Sequence, residues 1–184
     1  FLGQVHGLAN RWRLLAPDAP GYGESDDLAD APGIAGFTDT VVGLLDDADV
    51  DRAGVLGVSW GGVIATRFAL RHPDRLRALV LADTSRGSGI DADQADMMRL
   101  RAEQYAAAPE AFVRDRTPLL DADDTPAEVV QQVAAIMSTA CRMPGYGHAA
   151  ASLAETDHAA DLGRIHAPTL VVVGEHDRGC PPSD

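Results

Sequence analysis

The stretch Ala53-Gly54-Val55-Leu56-Gly57-Val58-Ser59-Trp60-Gly61-Gly62 decides how the chain is read. Ala53–Val58 is apolar or glycine throughout, which suits a strand covered on both faces. From Trp60 to Arg71 the periodicity is helical, and it has to stop at His72, because Pro73 disfavours helical backbone in the residue before it. Ser59 therefore falls on a sharp strand-to-helix turn within a G-x-S-x-G frame. A serine on such a turn takes strained backbone angles, and Gly57 and Gly61 relieve crowding so that the hydroxyl stands clear of the sheet. The following helix aims its positive end at the turn. The Trp60 N–H is then placed to stabilise an oxyanion on a tetrahedral intermediate.

Working outward, Leu76–Ala82 is the next strand and ends at Asp83, and Thr169–Val173 is a later one closed by Gly174. Upstream, Gln4 to Trp12 is expected to end a helix with Leu8 and Trp12 on one face. Arg13–Ala16 is expected as a short strand running into the turn Pro20-Gly21-Tyr22-Gly23-Glu24-Ser25. A helix is expected from about Asp39, with Thr38 as its N-cap and a staple between Phe37 and Val42. Ser85 to Asp161 shows only helical periodicity broken by prolines. Its best helix opens on Thr125-Pro126-Ala127-Glu128 and puts Val129, Val130, Val133, Ile136 and Met137 on one face. Strands alternating with helices define an α/β class with a mostly parallel sheet and helices on both faces. The helical stretch is too long for an ordinary loop, so it is an insertion.

Composition narrows the function. The 184 residues carry 15 basic and 28 acidic side chains, a formal charge of −13, and every basic residue is arginine. This excess of acid argues against nucleic acid or an anionic membrane as partner. Without lysine there is no Walker-A loop, Schiff-base lysine or pyridoxal-phosphate anchor. No apolar run approaches a membrane span. Cys141 and Cys180 lie far apart, as thiols of a reducing compartment would, so a cytoplasmic location is expected. No metal-ligand spacing occurs, and Gly21 to Gly23 lacks the third glycine of a dinucleotide loop. No metal and no cofactor are expected.

The chain resembles the α/β-hydrolase superfamily over essentially its whole length. The matching motifs are Ala16-Pro17-Asp18 with Pro20–Ser25, the Ser59 turn, Leu79-Val80-Leu81-Ala82-Asp83, and Pro168 to Asp177. Gly145-Tyr146-Gly147-His148, Asp161-Leu162 and Ile165-His166-Ala167-Pro168 make it most similar to 3-oxoadipate enol-lactonases and related esterases. The resemblance implies Ser59 as nucleophile, Trp60 as oxyanion donor and Asp177 as the acid that orients an imidazole, with Asp83 as the alternative acid. It also implies a core over 1–84, a helical cap over 85–165 and a core strand with the acid loop over 166–184. Met137, Met143, Tyr146 and His148 are candidate pocket residues.

Family order is nucleophile, acid, histidine, yet none of His6, His72, His148, His158, His166 and His176 follows Asp177. His148 and His158 fall in the cap, where exposure to solvent is the first expectation and lining the pocket the alternative, and His72 is expected on the surface. Too few residues separate His6-Gly7 from Ala16 for the oxyanion loop of the family. The expectation is therefore a chain truncated at both ends, with its base beyond Asp184 and little activity of its own. The implied activity is hydrolysis of a small carboxylic ester or lactone through an acyl-Ser59. Alternatives are a carbon–carbon bond hydrolase, a proline-releasing peptidase, a cofactor-free perhydrolase, or a degenerate fold kept as a binding module. Ser59 in place of an aspartate disfavours a haloalkane dehalogenase.

Overall fold

A computed structural model describes residues 2–120 and 122–180. Its sheet has three parallel strands in the order β1 (Ala53–Val58), β2 (Leu76–Ala82) and β3 (Thr169–Val172). Val58 lies opposite Ala82, and Ala82 opposite Val172. The pairing continues past the strands, with Ser59 N–H donating to Ala82 O at 3.0 Å and Asp83 N–H to Val172 O at 2.9 Å. Parallel order therefore brings Ser59, Asp83 and Gly174 out at one carboxyl-terminal edge, the edge where open α/β sheets hold their ligands.

The helices are α1 (Leu2–Leu8), α2 (Gly33–Asp47), α3 (Trp60–Arg71), α4 (Ala92–Ala107), α5 (Pro109–Arg116), α6 (Ala127–Ala140) and α7 (Gly145–Ala154). Three short 3-10 turns cover Pro73–Arg75, Thr117–Leu119 and Ala159–Arg164. The main core packs Ala65, Phe68 and Ala69 of α3 on Leu76 and Leu79 of β2, with Leu45 of α2 closing it. A second cluster sets Ile34 and Phe37 of α2 against Val63 and Ile64 of α3. Helices α4 to α7 all lie between β2 and β3, where the helical insertion was expected.

Several expectations are corrected. Helix α2 starts at Gly33, and Thr38 lies inside it with its hydroxyl donating to Ile34 O at 2.8 Å instead of capping. The reason is tertiary: burial of Ile34 and Phe37, each worth about 1.5–3 kcal/mol, extends the helix upstream. Arg13–Ala16 is not a strand, since among the described residues no backbone pairs with it. In β1, Leu56 and Val58 are exposed, so among the described residues only the face toward α3 is covered. Helix α6 begins at Ala127, with Pro126 extended before it and no side-chain cap from Thr125. Val129 and Ile136 are exposed, whereas Met137 packs toward Tyr105, Phe112 and Val113. Leu8 and Trp12 are likewise exposed.

The largest correction concerns His158. It is fully buried, with its Nε2 3.2 Å from Val63 O on α3 and its Nδ1 without a hydrogen-bond partner. Burial, with the Arg67 charge nearby, holds its pKa below the usual histidine value. His72 is half-buried against the Phe68 ring, with centroids 5.5 Å apart.

Candidate active site

Ser59 has φ 52° and ψ −121°, a region that L-residues adopt only under constraint. The constraint can be traced. Ser59 N–H is bonded to Ala82 O, while Ser59 O accepts from Gly62 N–H at 2.8 Å and from the Thr84 hydroxyl at 2.6 Å. Ser59 itself is exposed. A Cβ on Gly57 would lie 2.2 Å from Gly61 O, so the strand end and the first turn of α3 touch backbone to backbone. A Cβ on Gly61 would meet nothing, whereas one on Gly62 would lie 2.4 Å from the Thr84 Oγ1. The close approach thus belongs to Gly57 and Gly62. The sequence reading assigned it to Gly57 and Gly61 and missed Gly62, because the partner of Gly62, Thr84, is distant in the chain.

Trp60 opens α3, and among the described residues no group accepts its backbone N–H. Its indole is fixed on three sides. Nε1 donates to the Ser152 hydroxyl of α7 at 3.0 Å, the Phe37 ring meets it edge-on at 4.7 Å, and the Tyr22 ring lies at 5.5 Å. The Trp60 backbone N–H, at the helix start directly after Ser59, is one that a helix leaves without an intrahelical acceptor.

The loop bearing Tyr22 is clasped to the insertion. Arg142 donates from Nε to Asp27 at 2.9 Å, from Nη1 to Gly23 O at 2.7 Å, and from Nη2 to Ser25 O. Gly21 and Gly145 are in such contact that a Cβ on either would fall within 2.5 Å of the other. Burial pushes the Tyr22 phenol far above its ordinary pKa, so it stays protonated at neutral pH. Tyr22, Ser152, Thr84 and Arg142 were not singled out from the sequence. Only the Pro-Gly-Tyr-Gly turn marked this loop as a rim.

Both candidate acids lie around Gly174. Asp83, at φ 45°, accepts from Gly174 N–H at 2.9 Å. The Asp177 N–H returns to Gly174 O at 3.0 Å, and its Oδ1 accepts from Gly179 and Cys180 N–H at 2.7 and 2.9 Å. Asp83 therefore ties down the turn that carries Asp177. The Asp177 Oδ2 has no hydrogen bond among the described residues and can receive an imidazole. No described histidine hydrogen-bonds to Ser59 or Asp177. His176 is exposed and His148 half-buried.

Of the candidate pocket residues, Tyr146 stacks on Tyr105 at 4.7 Å and meets the Phe112 edge at 5.5 Å, with Met137 against the same cluster. Met143 is 42% exposed.

A sheet edge with an exposed, strained serine, a free helix-start N–H and two carboxylates defines an α/β-hydrolase type of site. The family model described as alpha/beta hydrolase fold matches residues 1–184. The chain belongs to that family. It is 31% identical over 190 residues to a 2-hydroxy-6-oxononadienedioate/2-hydroxy-6-oxononatrienedioate hydrolase of Cupriavidus pinatubonensis, covering 95% of this chain and 63% of that protein. A hydrolase from Pseudomonas aeruginosa superposes with a TM-score of 0.87 at 30% identity, over 98% of this chain and 68% of that one. The enol-lactonase from Burkholderia xenovorans gives 0.85 at 26% identity, over 98% and 69%. The chain thus spans less than two thirds of the length of the curated Cupriavidus relative.

Proposed function

We propose that the protein is a serine hydrolase of small carboxylic esters or lactones. Ser59 Oγ attacks the carbonyl carbon, the Trp60 N–H holds the oxyanion, the alkoxide leaves protonated, and water releases the acyl group from Ser59. Asp177 orients the imidazole that takes and returns the proton. The observation that supports this most is the φ of 52° at an exposed Ser59 that directly precedes a helix start. Strain of this kind persists only where the surroundings impose it, and here it presents a hydroxyl to solvent beside an unused N–H. Residues 85–165 serve as the cap, and Tyr146 and Met137 line its inner side. The same reading takes a small molecule as partner and a cytoplasmic setting. Among the described residues no helix is long and apolar enough to cross a membrane.

A second reading is hydrolysis of a carbon–carbon bond beside a ketone. It is favoured by the Cupriavidus relative, which is named for a 6-oxo dioate substrate. The same nucleophile and oxyanion donor would serve.

Fluorophosphonate labelling tests the shared chemistry. Because no described histidine reaches Ser59, labelling of this chain is expected to be slow and to accelerate when imidazole is added to the buffer. Ser59→Ala abolishes it, and Asp177→Asn lowers only the imidazole-accelerated rate, where there is an imidazole to orient. Labelling that persists in Ser59→Ala overturns the nucleophile. Turnover of p-nitrophenyl butyrate against a vinylogous 1,5-diketone then separates ester from carbon–carbon cleavage.

A further inference from the structure

The peptide between Ser59 and Trp60 carries two functions of the turn at once. Its carbonyl belongs to the nucleophile residue and its N–H to the oxyanion donor. In a trans peptide these two bonds lie in one plane and point in opposite directions. This peptide is trans, since the cis bond among the described residues is Met143–Pro144. Whatever holds Ser59 O therefore also sets the direction of the Trp60 N–H.

Ser59 O accepts from Gly62 N–H at 2.8 Å and from Val63 N–H at 3.4 Å, both within α3. Among the described residues, the donor from outside that helix is the Thr84 hydroxyl, at 2.6 Å. The other acceptor near this hydroxyl, Ser85 O, lies at 3.5 Å and is the weaker contact. Thr84 is itself placed by the sheet, because Asp83 before it donates to Val172 O at 2.9 Å and accepts from Gly174 N–H at 2.9 Å. The half-buried Thr84 side chain sits where Gly62 has none. A Cβ on Gly62 would fall 2.4 Å from its Oγ1, 2.5 Å from its Cβ and 2.6 Å from its Cγ2. Ser59 is thus anchored on both sides from the end of β2, its N–H by Ala82 O at 3.0 Å and its carbonyl by Thr84. Two anchors on one strand end over-determine the φ of 52° and ψ of −121°. A hydrogen bond accepted at the carbonyl also polarises the peptide and makes its N–H a stronger donor.

We propose that Thr84 is a positioning residue for the oxyanion donor: its hydroxyl holds the Ser59–Trp60 peptide in the plane that directs the Trp60 N–H, and strengthens that N–H, without touching substrate. The inference rests on the hydrolase reading for Ser59 and adds to it the group that sets its oxyanion donor.

The test compares Thr84→Val, which keeps the shape and removes the hydroxyl, with Thr84→Ser, which keeps the hydroxyl. Two readouts are taken on the isotope-labelled 184-residue chain: imidazole-accelerated fluorophosphonate labelling of Ser59, and the nuclear magnetic resonance shifts of the Ser59 carbonyl carbon and Trp60 amide nitrogen. Thr84→Val is expected to slow labelling about tenfold, short of the about 10²–10³ lost with an oxyanion donor itself, and to move both shifts. Thr84→Ser is expected to restore both. Thr66→Val controls for mere loosening of α3, because it removes a buried hydroxyl bonded to Gly62 O at 2.9 Å. It is expected to lower the melting temperature and leave the labelling rate and both shifts unchanged. If Thr84→Val fails to fold, as seen by circular dichroism, Thr84→Ala replaces it. Labelling and shifts that stay unchanged in Thr84→Val, that are not restored in Thr84→Ser, or that change as much in Thr66→Val overturn the proposal. If the parent chain does not label at all, the hydrolase reading falls by itself. The shifts then still decide whether Thr84 holds the peptide, and shifts unmoved in Thr84→Val overturn that.

Discussion

Replacing Gly57 by alanine places a methyl carbon 2.2 Å from the Gly61 carbonyl oxygen, 2.4 Å from its carbon and 2.6 Å from Gly62 Cα. Relaxed carbon contacts lie at about 3.5–4.0 Å, so the strand end and the first turn of α3 have to part by about 1 Å. Overpacking costs about 1–3 kcal/mol where side chains can yield. Here every obstructing atom is backbone, so the loss belongs at the top of that range, about 3 kcal/mol. For a chain of this size each kcal/mol moves the melting temperature by about 2–4 °C, so Gly57→Ala should melt about 6–12 °C lower. Gly61→Ala is the internal control. Its Cβ meets nothing, and helix propensity favours alanine over glycine by about 1 kcal/mol at most. Thermal unfolding followed by far-ultraviolet circular dichroism, with fluorophosphonate labelling of the folded variants, reads both effects. A Gly57→Ala melt within 2 °C of wild type, on the roughly 2–4 °C per kcal/mol scale, would refute the backbone-contact argument. So would a Gly61→Ala variant as unstable as Gly57→Ala.

Three further outcomes are expected. The folded state keeps His158 neutral with a lowered pKa, whereas the unfolded chain titrates it near about 6.5. The unfolded state therefore binds more protons below about pH 6.5, and stability should fall as the pH drops through that window; His158→Gln should flatten this part of the urea-midpoint profile. Arg142→Met removes the clasp on residues 21–27 and should cost about 1–2 kcal/mol, part of the pair with Asp27 being solvent-screened. Amide exchange confined to that loop should quicken, and unchanged exchange there would exclude the clasp. Ser152→Ala leaves Trp60 Nε1 without its acceptor and should cost about 1 kcal/mol. An unchanged melt and unchanged Trp60 emission would show that the bond does not hold the indole.

Local signals carried much of the fold. Strands β1 and β2 and helix α3 have the expected limits, because each is bounded by nearby chemistry: the apolar run, the glycine-flanked turn, and Pro73 after His72. Among the described residues, the region from Ser85 to Asp161 contains helices and no strand, as its periodicity indicates. The errors fall where a distant neighbour decides. Thr38 has every local mark of a cap, yet burial of Ile34 and Phe37 against α3 moves the helix start beyond it. Arg13–Ala16 has strand composition, but a strand exists only when another backbone pairs with it.

For the site, the sequence alone determined the elbow: a serine on the turn between an apolar strand and a helix. That much is local, since turn strain, helix dipole and strand length act within a few residues. Tertiary structure alone decided the rest. It brought Asp83 and Asp177 to the same glycine, fixed Trp60 between Phe37, Tyr22 and Ser152, and buried His158 under α3. It also set the Thr84 hydroxyl on Ser59 O. These pairings join residues far apart in the chain, and their free energy comes from shared burial and charge, which no local pattern records.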